Sequence, residues 1–276
     1  MNEEYYLTDN IRLLNDKMEY RRNENDDFKP ILKKNWHYIL NEYGWEKINK
    51  KWITKLNKLM NKKEKNSLYG IFDCDSDGNC FFQCIAQALN ERDRGTNNYY
   101  NSDDIRLMIS DNITEDQYDM IISYYRIMKD ADDFSEDWDP YSIKSIDDFK
   151  DKINTSGHEY WCDYLLFQIL INILRINIFI LNCNTLMNDY SIYNTLNEYN
   201  SEYDSIFLVY EDCCHFKLVG YFNDKMISYI PGPNFEPVSA ILNGCPTPLK
   251  FVPCDFISSF TIGSKISLDG RSIFSN

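Results

Sequence analysis

Apolar residues recur at intervals of three and four along the first part of the chain and give way to unbroken apolar runs near its middle. Residues 1–66 carry one weak stripe, Ile11, Leu13, Leu14 and Met18, and a second, Trp36, Ile39, Leu40 and Tyr43. Both predict surface-facing helix. A stronger stripe runs through Trp45, Ile48, Trp52, Ile53, Leu56, Leu59 and Met60, with lysines between Lys47 and Lys65 on the other face. This is the pattern of an amphipathic helix packed on a larger body. An apolar lead-in at 67–72 precedes an acidic turn, and 81–89 predicts a buried helix. Helical pieces follow at 104–110, 115–129 and 146–153, with Asp103 and Thr114 as N-caps of the first two. Tyr160-Trp161-Cys162-Asp163 opens a strongly apolar helix through Leu165, Leu166, Ile169, Leu170, Ile173 and Leu174, and 176–181 reads as a buried strand. Residues 182–204 read as a polar loop. Strands at 206–210 and 215–219, joined by a turn, form a hairpin with His215 at the start of its return strand.

After Gly220 the composition shifts, with Pro231, Pro233, Pro237, Pro246, Pro248 and Pro253. Ile227, Ile230, Leu249, Phe251, Val252 and Phe260 make this stretch too apolar for a free tail. The expected organisation is therefore a helical N-terminal extension at 1–66, a main domain at 67–222, and a proline-rich extension at 223–276 packed on it. A hydrophobic fraction of 43% belongs to a folded protein. No apolar run reaches the roughly eighteen residues needed to cross a bilayer, and the acidic, polar start lacks a secretory core. A cytoplasmic monomer without membrane association is expected.

The formal net charge of −14 excludes nucleic acid as the main partner and suits one with a basic face. The lysines at 47–65 read as the solvated face of their helix, not as a nucleic-acid or membrane contact. Nine cysteines at irregular spacing outline no disulfide framework and point to a reducing compartment. Adjacent cysteines in Cys213-Cys214-His215 do not suit one tetrahedral zinc. The acidic run Asp130, Asp132, Asp133, Glu136, Asp137 and Asp139 lacks the central glycine of a calcium loop and reads as solvated. No metal and no cofactor is expected.

The candidate chemistry lies in Asp73-Cys74-Asp75-Ser76-Asp77-Gly78-Asn79-Cys80. A tight turn here feeds a buried helix, which puts Cys80 at the helix N-terminus, where unpaired N–H groups and the dipole favour a thiolate. Those N–H groups and the Gly78-Asn79 turn would receive the oxyanion of an acyl intermediate. The surrounding carboxylates oppose the dipole, so a modestly activated thiol is expected.

Asp77-Gly78-Asn79-Cys80 followed by Phe81 and Phe82 resembles the nucleophile motif of the ovarian-tumour (OTU) family of cysteine proteases, most of which are deubiquitinases. Two further blocks match in order. Trp161, Asp163 and Gln168 align with a Trp-Gly-Asp helix start, with Cys162 in place of the glycine and Leu166 where an acid is common. His215-Phe216 resembles the closing motif. The resemblance implies an α+β, papain-like fold with a small central sheet between helices, and a supporting, core-packed Trp161. It implies Cys80 as nucleophile, His215 as general base, and Asp77 shaping the oxyanion turn of Gly78 and Asn79. The implied activity is hydrolysis of isopeptide bonds at the C-terminus of ubiquitin or polyubiquitin through a Cys80 thioester. Two other readings stand beside it: a catalytically silent ubiquitin-binding module, and a protease for another ubiquitin-like modifier or a viral polyprotein, which would act in a host cytoplasm. One position departs from the family. Many members carry Asn or Asp two residues after the histidine to accept its second N–H, and Lys217 is a donor only. The acceptor is then Asp77, Asp75, Asp73, a residue of another loop or a backbone carbonyl.

Overall fold

Residues 4–30 form strands where helix was expected. In the computed structural model, which describes residues 4–59, 63, 68–74, 77–134, 136–184, 189–194, 200–211 and 215–232, Glu4–Thr8 (β1), Ile11–Leu14 (β2), Lys17–Tyr20 (β3) and Lys29–Pro30 (β4) make an antiparallel sheet in chain order. The reason lies in Asn15 and Asp16, both left-handed at φ 47 and 65. They close a two-residue hairpin turn of the kind that suits twisted strands. Ile11, Leu13 and Met18 are buried by strand alternation, and Arg12 pairs across the sheet with Glu19 at 2.7 Å. Expectations for Asp75, the 212–214 turn with its two cysteines, and residues 233–276 lie outside the described residues.

Trp36–Ile39 (α1) and a 3₁₀ turn at Leu40–Tyr43 end on left-handed Gly44, which delivers the chain to Trp45–Lys47 (β5). Lys50–Leu59 (α2) buries Trp52 and Leu56 and leaves Lys51, Lys55 and Lys58 in solvent, as its stripe predicts. Then follow Tyr69–Asp73 (β6), Cys80–Arg92 (α3), Ser102–Asn112 (α4), Glu115–Asp130 (α5), Ile146–Asn154 (α6) and Tyr164–Leu174 (α7). Thr114 caps α5 as expected, but α4 is capped by Asn101, not Asp103. Asn101 accepts the N–H groups of Asp103 and Asp104 while Asp104 reaches back to the Asn101 N–H, a reciprocal box that leaves Asp103 inside the first turn.

The remaining strands are Ile176–Asn184 (β7), Asp189–Asn194 (β8), Asp204–Glu211 (β9), His215–Asn223 (β10), Lys225–Ile227 (β11) and Tyr229–Ile230 (β12). They join β5 and β6 in one sheet of order β5-β6-β10-β9-β7-β8, with β11 on β10 and β12 on β9. Only β7 and β9 run parallel among these pairs. The architecture is the expected α+β class, with a larger sheet than the small one anticipated. Residues 182–204 are the second correction, because β7 runs on to Asn184 and hairpins with β8. Tyr190, Ile192 and Tyr193 have the β-branched and aromatic character of a strand despite their polar neighbours.

Two indoles close the sheet from the N-terminal side. Trp36 stacks on Phe222 with ring centroids 6.0 Å apart. The Trp45 ring lies where a β-carbon on Gly220 would be 2.6 Å away. The described residues 4–59 are therefore built into the sheet through β5 and these rings. Gly220→Ala should lower stability by about 1–3 kcal/mol, the usual cost of overpacking a filled core. Urea unfolding would measure it, and an unchanged midpoint would mean that the Trp45 ring gives way.

Candidate active site

The reactive loop begins where β6 ends at Asp73 and finishes at the first residue of α3, Cys80. Gly78 is left-handed at φ 83, and a β-carbon there would lie 2.3 Å from the Gly157 carbonyl oxygen. Only glycine fits such a turn. Asn79 follows at the N-cap position, yet its side chain makes no capping bond to α3. Its amide faces away from the helix. Oδ1 accepts from Arg106 Nε at 3.1 Å and Nη2 at 2.7 Å and from the Gly157 N–H at 3.3 Å, and Nδ2 donates to Asp77 Oδ2 at 3.0 Å and Ser156 Oγ at 3.1 Å. The first N–H groups of α3 are thus left without a side-chain cap, the condition for receiving an anion.

Asp77 shapes this turn. Its Oδ1 accepts the Asn79 N–H at 2.9 Å. Partial burial works against its charge, but the two Asn79 donors outweigh that and hold the carboxyl below its usual range. The same bond occupies the Asn79 N–H, one of the turn donors expected for an oxyanion beside the N–H groups at the start of α3.

Cys80 is 3% exposed. Burial pushes its thiol up to about 11, against the pull of the Phe216 N–H, which lies 3.5 Å from Sγ. The expectation of a modestly activated thiol is corrected on this point. The helix N-terminus is present, but desolvation dominates around a sulfur enclosed by α3 and β10. His215, the residue before Phe216, turns its imidazole to Asp73, with Nε2 3.0 Å from Oδ1. No hydrogen bond joins the imidazole to the thiol among the described residues.

Of the acceptors that the sequence left open, Asp73 is the one whose carboxylate meets the His215 imidazole. It lies on β6 opposite Lys217 of β10. Lys217 Nζ is 3.5 Å from Asp73 Oδ1 and 2.8 Å from Glu211 Oε2. Burial works against the Lys217 charge, but Glu211 outweighs it and raises the ammonium's pKa. Lys217 thus braces the carboxylate that faces His215.

Two more expectations are corrected beside the loop. Trp161 is not in the core. Its indole N–H donates to the His158 carbonyl at 3.1 Å and its ring tilts against His158 at 5.7 Å, because Tyr160 takes the buried position, with its hydroxyl 3.1 Å from that of Tyr125. The acidic run is not wholly solvated. Glu136 turns inward to accept the Trp161 N–H at 3.5 Å, and burial raises its carboxyl to about 7. Asp163, the α7 N-cap, is raised by burial to about 6 despite the Tyr125 hydroxyl at 2.7 Å. Among the described residues, no group of three or more His, Cys, Asp or Glu side chains is placed to hold a metal, and no helix is long and apolar enough to cross a membrane.

Sequence reasoning missed Arg106. Its signal was available: on α4 the buried positions are Ile105, Arg106, Ile109 and Ser110, so a charge interrupts the apolar face.

A family model described as OTU-like cysteine protease matches residues 75–217, just over half of the 276-residue chain. No curated protein matches. The chain is similar to a solved OTU domain in complex with ubiquitin, at 15% identity over 63% of this chain and 81% of that one, TM-score 0.38. It is similar to an OTU deubiquitinase from Wolbachia pipientis wMel at 13% identity over 59% and 93%, TM-score 0.39. It is also similar to the viral OTU domain protease from Dera Ghazi Khan virus at 14% identity over 56% and 82%, TM-score 0.35.

With the Cys80 thiol at about 11 in the resting protein, its thiolate fraction rises about tenfold per pH unit across the neutral and mildly alkaline range. Iodoacetamide alkylation of Cys80, followed by peptide mass spectrometry, should accelerate from pH 7 to pH 10 without levelling. A plateau near neutrality would mean that the thiol is already ionised.

Proposed function

Because the chain belongs to the OTU family of cysteine proteases, we propose that it is a deubiquitinase that hydrolyses isopeptide bonds at the ubiquitin C-terminus through a Cys80 thioester. One contact carries the reading. The Phe216 N–H on Cys80 Sγ at 3.5 Å sets His215 beside the nucleophile, while Asp73 engages the imidazole at 3.0 Å. Cysteine, histidine and carboxylate then meet at one junction of α3, β6 and β10, the set that nucleophilic acyl transfer requires.

In this mechanism His215 keeps Nε2 on Asp73 and accepts the Cys80 proton at its other ring nitrogen, Nδ1. The thiolate attacks the carbonyl of the terminal glycine, and the oxyanion is met by N–H groups at the start of α3. The imidazolium, held by Asp73, returns its proton to the leaving lysine amine. Water, deprotonated by His215, then cleaves the thioester and frees the ubiquitin carboxylate. Asp77 stays on Asn79 throughout and keeps the turn in shape. The acidic surface suits the basic face of ubiquitin.

A second reading has a specific observation behind it. A buried, protonated thiol and an imidazole turned to Asp73 also suit a silent ubiquitin-binding module. Ubiquitin carrying a C-terminal propargyl electrophile separates the two. The deubiquitinase reading expects a covalent adduct with the wild type and none with Cys80→Ala, which still binds ubiquitin. Binding without any wild-type adduct would favour the silent module, and an adduct with another modifier alone would redirect the substrate. Asp73→Asn should lower kcat by at least about tenfold, since orientation of the general base is lost. Lys217→Ala should cost less than Asp73→Asn. Turnover by Asp73→Asn at the wild-type rate would remove Asp73 from the mechanism.

A further inference from the structure

Arg106 is 0% exposed, and no carboxylate among the described residues forms an ion pair with it. Burying a guanidinium against neutral acceptors alone is costly. Its contacts are not scattered. Nε and Nη2 converge on Asn79 Oδ1, Nη2 also reaches the carbonyls of Gly78 at 3.3 Å and Tyr160 at 3.0 Å, and Nη1 reaches that of Ile153 at 2.8 Å. Its plane covers Phe82, the second residue after Cys80, with the guanidinium carbon 3.9 Å from the ring centroid. Gly78, Asn79 and Phe82 belong to the reactive loop and α3, while Ile153 near the end of α6 and Tyr160 flank the loop whose Ser156 and Gly157 bond to Asn79.

We propose that Arg106 is a positioning residue for the reaction at Cys80. By holding the Gly78 carbonyl and the Asn79 side-chain amide together, it fixes the Gly78–Asn79 peptide plane and the setting of Asn79, the residue that precedes Cys80, and so the direction of the N–H groups at the start of α3. Asn79 carries the constraint onward to Asp77 and Ser156. The inference rests on the hydrolytic reading above, and its test has one arm that does not.

Arg106→Lys keeps the charge and loses the fork. Displacing reacting groups by about 1 Å costs on the order of 100-fold. With ubiquitin 7-amido-4-methylcoumarin as substrate, Arg106→Lys should lower kcat by roughly 10- to 100-fold and leave KM within about twofold. The second arm needs no ubiquitin. Iodoacetamide at a fixed pH of about 8, resolved by site, should alkylate Cys80 several-fold faster in the variant, while Cys84 and Cys162 keep their wild-type rates, because only the loop has loosened. Asn79→Ala, which removes the anchor and leaves the buried cation, should reproduce both effects and serves if Arg106→Lys does not fold. The double variant should be no worse than the weaker single one. Equal acceleration at Cys80, Cys84 and Cys162, or unchanged Cys80 rates and kcat per folded molecule in either variant, would overturn the proposal and leave Arg106 a core residue. If the wild type turns over no ubiquitin substrate, the deubiquitinase reading fails and the alkylation arm alone decides Arg106.

Discussion

The side-chain amide of Asn79 gathers separate parts of the chain into one hydrogen-bonded cluster: Arg106 from α4, Asp77 from its own loop, and Ser156 and Gly157 from the loop after α6. It is 5% exposed. A buried amide must have its donors and acceptor satisfied or lose stability, so the loop is committed to one arrangement. The close approach of Gly78 to Gly157 removes the remaining freedom, because any side chain there would meet a backbone carbonyl. Cys80 inherits its place from these contacts. The N–H groups of α3 stay uncapped because Asn79, the residue that would cap them, is engaged elsewhere.

The other half of the site comes from the sheet. β10 lies between β6 and β9: His215 and Phe216 pair with β9, and from Lys217 the strand is paired with β6 as well. Strand alternation sends Phe216 into the core against Phe81 and Tyr210, and turns His215 and Lys217 toward Asp73. The acceptor for the imidazole therefore comes from the neighbouring strand instead of from position 217. Lys217 joins Asp73 to Glu211 and makes the carboxylate part of a small charged group instead of an isolated one.

Burial and reactivity pull in opposite directions at Cys80. Packing between α3 and β10 gives the sulfur a defined position and at the same time raises the thiol well above the range of an activated nucleophile. The Phe216 N–H opposes this without reversing it. Under the mechanism proposed above, the thiol stays protonated until the histidine couples to it, a state that would also protect the sulfur from oxidants, which attack the thiolate.

By itself the sequence determined the elements whose signals are local. The stripes of α2, α3, α5 and α7 follow side-chain periodicity, Thr114 caps through a box spanning three residues, and the turn at Gly78 before Cys80 is legible because glycine and an abrupt apolar run are short-range features. The order of the three blocks around Cys80, Trp161 and His215 carried the fold class. The N-terminal strands were misread because Ile11, Leu13 and Met18 fit a loose helical spacing, while the deciding feature was the left-handed Asn15-Asp16 turn. Only the tertiary structure decided what Asp73, Arg106 and Trp161 do. Asp73 and His215 are 142 residues apart and Asn79 and Arg106 are 27 apart, and the partner of a polar side chain at such separations is set by strand register and helix packing. The thiol's ionisation was misjudged for the same reason: the dipole that lowers it is local to α3, but the desolvation that outweighs it comes from the packing of β10 against the sulfur.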